Sequence, residues 1–66
     1  MEPVILSGGM YTTVVNFTEL YGTDARLVQY ILDIMAAAGT VKDGALYIRG
    51  RYNAAQVERA IQHAVT

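Results

Sequence analysis

Apolar and polar positions along this chain follow two periods in turn. Pro3-Val4-Ile5-Leu6-Ser7 is a short apolar run and predicts a β-strand. Proline is tolerated at a strand's first position, where its missing N–H costs no ladder bond. Gly8-Gly9 follows and predicts a tight hairpin turn of the primed kind, which needs positive φ. Met10 to Asn16 alternates: Thr12 and Val14 fall on one face, and Tyr11, Thr13 and Val15 on the other. Phe17 is expected to anchor the end of this strand in the core.

The period changes at Thr18. Thr18 to Tyr21 fits a single helical turn closed by Gly22. Thr23 is expected to cap a longer helix, with Asp24 in its positive first turn. Its apolar positions are Leu27, Val28, Tyr30, Ile31, Leu32, Ile34, Met35 and Ala38, and only Arg26, Gln29 and Asp33 make a polar stripe. A helix of this kind is buried over much of its circumference. Gly39 is expected as the left-handed residue that ends it.

Alternation returns in "TVKDGALYIRGRY". Thr40-Val41-Lys42 predicts a strand, Asp43-Gly44 a hairpin turn, and Ala45 to Arg49 the return strand. Leu46 and Ile48 point to the core, so Ala45, Tyr47 and Arg49 point outward. Gly50 breaks the strand. Asn53 and Gln56 make a capping-box pair for a last helix. That helix buries Val57, Ala60, Ile61, Ala64 and Val65 and turns Glu58, Arg59, Gln62 and His63 to water. The order ββ, short α, α, ββ, α predicts an α+β fold: a small antiparallel sheet of two β-hairpins packed against two helices (ββ-α-ββ-α). Residues 1–66 read as a single domain with no repeat and no linker.

Composition narrows this picture. A 66-residue core is marginal on its own, and with no cysteine it has no disulfide or thiolate-metal support. Apolar residues make up 53% and charged residues only 17%, against a usual ~25%, so the surplus goes into a dense core or an interface, including one between copies of the chain. No apolar run reaches the ~18 residues of a membrane span. A cytoplasmic protein with no membrane partner is the expectation. The net charge of −1 argues against a strong nucleic-acid binder. The charge is nonetheless uneven: Lys42, Arg49, Arg51 and Arg59 all lie in the second half, a hint of one basic face.

Little in the chain suggests catalysis. His63 is the single histidine, on a helix's polar face, and the carboxylates are scattered. Ser7-Gly8-Gly9 lacks the lysine and the helix start of a phosphate loop. The protein is therefore expected not to be an enzyme and to hold no metal or cofactor. A nucleic-acid or partner-binding edge is the stronger candidate, formed by Lys42, Tyr47, Arg49, Arg51 and Tyr52. Arginine offers forked donors to phosphate, and tyrosine a stacking surface for bases. The competing reading is that the two arginines only keep a strand end in water, and that the tyrosines serve a protein interface.

Residues 12–65 resemble the central α/β domain of the beta subunit of archaeal and eukaryotic translation initiation factor 2, a domain shared with the N-terminal part of initiation factor 5. The resemblance rests on Asn16-Phe17 at a strand end, on "ILDIMAAAGTV", and on "LYIRGRY" before the last helix. It implies a non-catalytic domain that contributes to holding initiator tRNA and to contacts with other initiation-factor subunits. It also implies that Gly50-Arg51 is the family's Gly-Arg step between the last strand and last helix. Tyr52 stands where phenylalanine is usual, and Glu58, Gln62 and His63 where lysines are commoner. The N-terminal docking helix and the zinc ribbon of that family have no counterpart in these 66 residues, so docking on the GTPase subunit and zinc binding are not implied. Two other classes stay open: a small protein-interaction or homo-oligomeric module, and a winged-helix-like DNA-binding protein in which residues 24–49 supply helix and wing.

Overall fold

The structure is a computed structural model and describes residues 3–66. The elements run β1 (Pro3–Leu6), β2 (Gly9–Val14), α1 (Phe17–Tyr21), α2 (Ala25–Met35), β3 (Gly39–Lys42), β4 (Ala45–Arg49) and α3 (Ala54–Val65). The four strands form one antiparallel sheet in the order β1-β2-β4-β3. The expected α+β fold is therefore present, and its two hairpins are joined through the long-range pair β2–β4. Thr12 stands opposite Ile48 there, and Val14 opposite Leu46.

One face of this sheet is covered and the other is open. Val14, Leu46 and Ile48 lie on the covered face and bury with Ile31 and Leu32 of α2 and Val57, Ala60 and Ile61 of α3. Phe17, at the start of α1, is fully buried among them, as expected for the residue that closes β2. Its ring meets Tyr21 at 5.2 Å between centroids, a tilted aromatic pair. The capping box forms in both directions: Gln56 N–H donates to Asn53 Oδ1 at 2.8 Å, and Asn53 N–H to Gln56 Oε1 at 3.0 Å. Asp43 and Gly44 have φ of 52° and 81°, the pair of positive angles that a type I′ turn demands.

Several boundaries differ from expectation. The first hairpin turns on Ser7-Gly8, with Leu6 opposite Gly9, so Gly9 already belongs to β2. Of the two central turn residues only Gly8 has positive φ, which is the type II pattern and not the type I′ one. Asp24, and not Thr23, caps α2, its carboxylate accepting the Arg26 N–H at 2.8 Å. The larger correction is at the other end of α2. Ala36 takes the left-handed conformation at φ 52°, and Ala37 N–H reaches back to Leu32 C=O at 3.0 Å, a Schellman closure without glycine. Gly39 is instead the first residue of β3 and sits where nothing larger fits: a Cβ there would run into the Tyr47 carbonyl oxygen and lie 2.8 Å from Leu32 Cδ2. The β3–β4 hairpin joins the sheet through β4, which is paired on both edges, to β2 and to β3.

Candidate nucleic-acid interface

Strand alternation and register decide which side chains share the open face. Tyr11 pairs with Arg49, Thr13 with Tyr47, Thr40 with Tyr47, and Lys42 with Ala45. Directly opposed residues project to the same side, so Tyr11, Thr13, Thr40, Lys42, Tyr47 and Arg49 stand together, away from the helices. Lys42 and Arg49 are separated by four positions along β4, roughly 13 Å at ~3.3 Å per residue. They are the only charged residues on the described strands; every acid among the described residues lies in a helix, cap or turn. The weak charge asymmetry of the sequence thus becomes a sheet face bearing two cations and no carboxylate.

Arg49 is held, not merely exposed. Its guanidinium carbon lies 5.9 Å from the centroid of the Tyr11 ring, a cation–π distance. The arm continues toward the first hairpin: a Cβ built on Gly9 would lie 3.2 Å from Arg49 Nη2. Gly9 therefore leaves room for the guanidinium. Tyr11 and Tyr47 are both half-buried, with part of each ring left on the surface. Thr13 between them is 7% exposed, and its hydroxyl is buried with no hydrogen-bond partner.

The five residues expected to form one edge divide into groups. Lys42, Tyr47 and Arg49 share the open face. Tyr52 is on the other side of the sheet, half-buried against the core and beside α2 and α3. Gly50 sends it there: with φ 118° it breaks the alternation, and the Tyr52 ring folds over it so closely that a Cβ on Gly50 would meet Cε2 at 2.8 Å. The Thr12 hydroxyl fixes this bend from β2, donating to Gly50 C=O at 2.8 Å and accepting Tyr52 N–H at 3.0 Å. Arg51, between them in sequence, is exposed at the bend. Sequence reasoning missed Tyr11 as Arg49's partner. Tyr11 falls on one face of its strand with Thr13 and Val15, and Arg49 on the outward face of another hairpin, but nothing local shows that the hairpins join at this register.

The helix layer holds a concavity of about 550 Å³, with Ile34, Met35 and Tyr52 against Arg59 and His63. Among the described residues no three His, Cys, Asp or Glu side chains gather as a metal site would require. Among the described residues no helix is long and apolar enough to cross a membrane. Compared with known proteins, the chain matches no family model, no curated protein and no solved structure.

Proposed function

We propose that this protein is a non-catalytic RNA-binding domain whose ligand lies on the open sheet face. The observation that carries this reading is the grouping of Lys42 and Arg49 with Tyr11 and Tyr47 on a face without a carboxylate. Phosphates are attracted to the two cations, and unstacked bases find two partly exposed tyrosine rings. Single-stranded RNA is favoured over duplex DNA because unpaired, splayed bases can stack on the two partly exposed tyrosine rings, whereas bases paired inside a duplex cannot. Two cations make the binding weak and easily screened by salt.

Initiator tRNA is the first RNA to test, and a role in translation initiation, in contact with other initiation-factor subunits in the cytoplasm, is the finer form of the proposal. Its support is the residue pattern from Asn16-Phe17 through "AAGTV" to "GRY". The test is a fluorescence-anisotropy titration at low salt with labelled single-stranded RNA, initiator tRNA and duplex DNA. Wild type should bind the RNAs more tightly than the duplex. The double substitution Lys42→Ala and Arg49→Ala should remove most of that binding, and Tyr47→Ala should weaken it by about tenfold, from ~1–3 kcal/mol per stacked base. Binding unchanged in the double variant would refute the assignment of the face.

A further inference from the structure

β1 is an outer strand, hydrogen-bonded to β2 alone. Its register shows which main-chain groups remain free. The two-residue turn Ser7-Gly8 makes Leu6 and Gly9 the closing, bonded pair. Bonded and non-bonded pairs alternate along an antiparallel ladder, so Val4–Tyr11 is bonded while Ile5–Met10 and Pro3–Thr12 are not. Met10 agrees: its carbonyl turns away from β1 and accepts Gly50 N–H of the neighbouring segment at 2.9 Å. Ile5 and Pro3 therefore direct their main-chain groups outward. Pro3 has no N–H, so Ile5 is the one strand residue offering both a donor and an acceptor at this edge.

The side chains there are apolar and uncovered. Ile5 is 80% exposed, Leu6 44% and Met10 38%. Ile5 and Met10 lie on the helix side of the sheet, but β1 packs mainly against β2, and no described helix packs closely over it. The edge is short and opens on Pro3, which confines pairing to Ile5 and its neighbours, but its described residues carry no charge and no bulge. The opposite edge differs: β3 carries Lys42 and borders the cavity beneath the start of α2.

We propose that β1 pairs antiparallel with β1 of a second copy about a two-fold axis at Ile5, joining two four-stranded sheets into one of eight. Self-pairing of one strand is the isologous arrangement in which each copy supplies the same patch. The two Ile5 residues exchange both main-chain bonds, and each Pro3 carbonyl faces the turn N–H of Ser7 across the axis. Opposed residues share a side, so both Ile5 and both Met10 side chains meet in the gap between the two helix layers. Pro3 has no N–H, so each Pro3–Ser7 pair makes one bond in place of two. The contact is smaller than the ~1,200 Å² of stable complexes, so association belongs at high micromolar concentration.

Sedimentation equilibrium on the full chain, without RNA, tests this separately from the function proposed above. Between roughly 10 μM and 1 mM, a range suited to weak association, the weight-average mass should climb from 7.2 kDa toward that of a dimer. Ile5→Pro removes the outward N–H without touching the β1–β2 bonds, and it should weaken association by more than about tenfold. Ile5→Lys keeps the N–H, places like charges across the axis, and should act the same way, so it decides the matter if the proline variant loses its far-ultraviolet dichroism. Ile34→Lys, in the helix layer, should associate like wild type. A wild type that stays at 7.2 kDa throughout overturns the proposal. So does a folded Ile5 variant that dimerises unchanged, or loss of the dimer with Ile34→Lys alone.

Discussion

Thr12 and Thr13 are neighbours on β2, both buried, and the same substitution to valine at each should move stability in opposite directions. Thr12 is 1% exposed and its hydroxyl makes two hydrogen bonds to the bend, to Gly50 C=O and from Tyr52 N–H. Valine has nearly the same shape but leaves both main-chain groups short of a partner. A lost bond costs ~0.5–1.5 kcal/mol, and a buried group left unpaired adds to it, so Thr12→Val should destabilise by about 2–3 kcal/mol. Thr13 is the reverse case. Its hydroxyl is already buried and unpaired, so the folded state carries a desolvation cost that valine removes. Thr13→Val should stabilise by about 1 kcal/mol. In a domain of this size each kcal/mol moves Tm by ~4–8 °C, which separates the two variants by more than about 10 °C. Thermal and urea denaturation followed by far-ultraviolet dichroism reads both. The reasoning fails if the two substitutions shift Tm in the same direction, or if Thr13→Val lowers it. Because the Thr13 hydroxyl is sealed from solvent, Thr13→Val should also leave RNA affinity unchanged.

Two glycines give further tests by the same denaturation assay. Gly39→Ala places a methyl group against the Tyr47 carbonyl and Leu32, where both the sheet and the core would have to give way, and should cost about 1–3 kcal/mol. Gly50→Ala meets the Tyr52 ring and also a backbone angle of φ 118°, so it should cost at least ~1–2 kcal/mol and loosen the start of α3. A variant at either position as stable as wild type would remove the reason given for that glycine.

What the sequence revealed and what it hid divide by range. The capping box at Asn53 and Gln56, the Asp43-Gly44 turn and the alternation of Leu46 and Ile48 against Tyr47 and Arg49 depend on neighbours a few residues apart, and each formed as read. The Tyr11–Arg49 contact depends on β2 pairing with β4, some forty positions away, and no local pattern sets that register. Gly39 was misread for a related reason. Glycine after a helix is the usual left-handed cap, but the chain must turn earlier to bring β3 alongside β4. Ala36 takes the strained angle, while Gly39 answers a close approach by Tyr47 that exists only in the assembled sheet. The α2 surface shows the same limit: Tyr30 and Ile34 are 58% and 50% exposed although their spacing suited a buried helix, because α3 covers only one side of α2.

The Gly-Arg-aromatic step now separates into parts with different causes. Gly50 is required by the bend and by the ring above it, and Tyr52 is required to cover that bend and complete the core. Both residues would be selected by folding alone, so their likeness to another family's step carries information about shape more than about a ligand. Arg51 differs from both. It is exposed, and the hydrogen bonds that hold the bend run through the main chain at Gly50 and Tyr52 and the hydroxyl of Thr12, not through its side chain. Arg51→Ala should therefore leave folding stability within the roughly ±0.5 kcal/mol expected of surface changes. In the RNA titration it becomes the arm that tells an extended site from a confined one. If RNA crosses only the open face, Arg51→Ala should bind within about twofold of wild type while Arg49→Ala weakens several-fold. If Arg51→Ala weakens binding as much as Arg49→Ala, the ligand must wrap from the sheet around the bend, and confinement to the face of Lys42, Tyr47 and Arg49 is wrong. Salt sharpens the comparison: each phosphate contact on a single strand contributes ~0.7 to the slope of log affinity against log salt. Removing a cation that touches phosphate must flatten that slope, whereas removing one that only keeps the surface in water must leave it as it was.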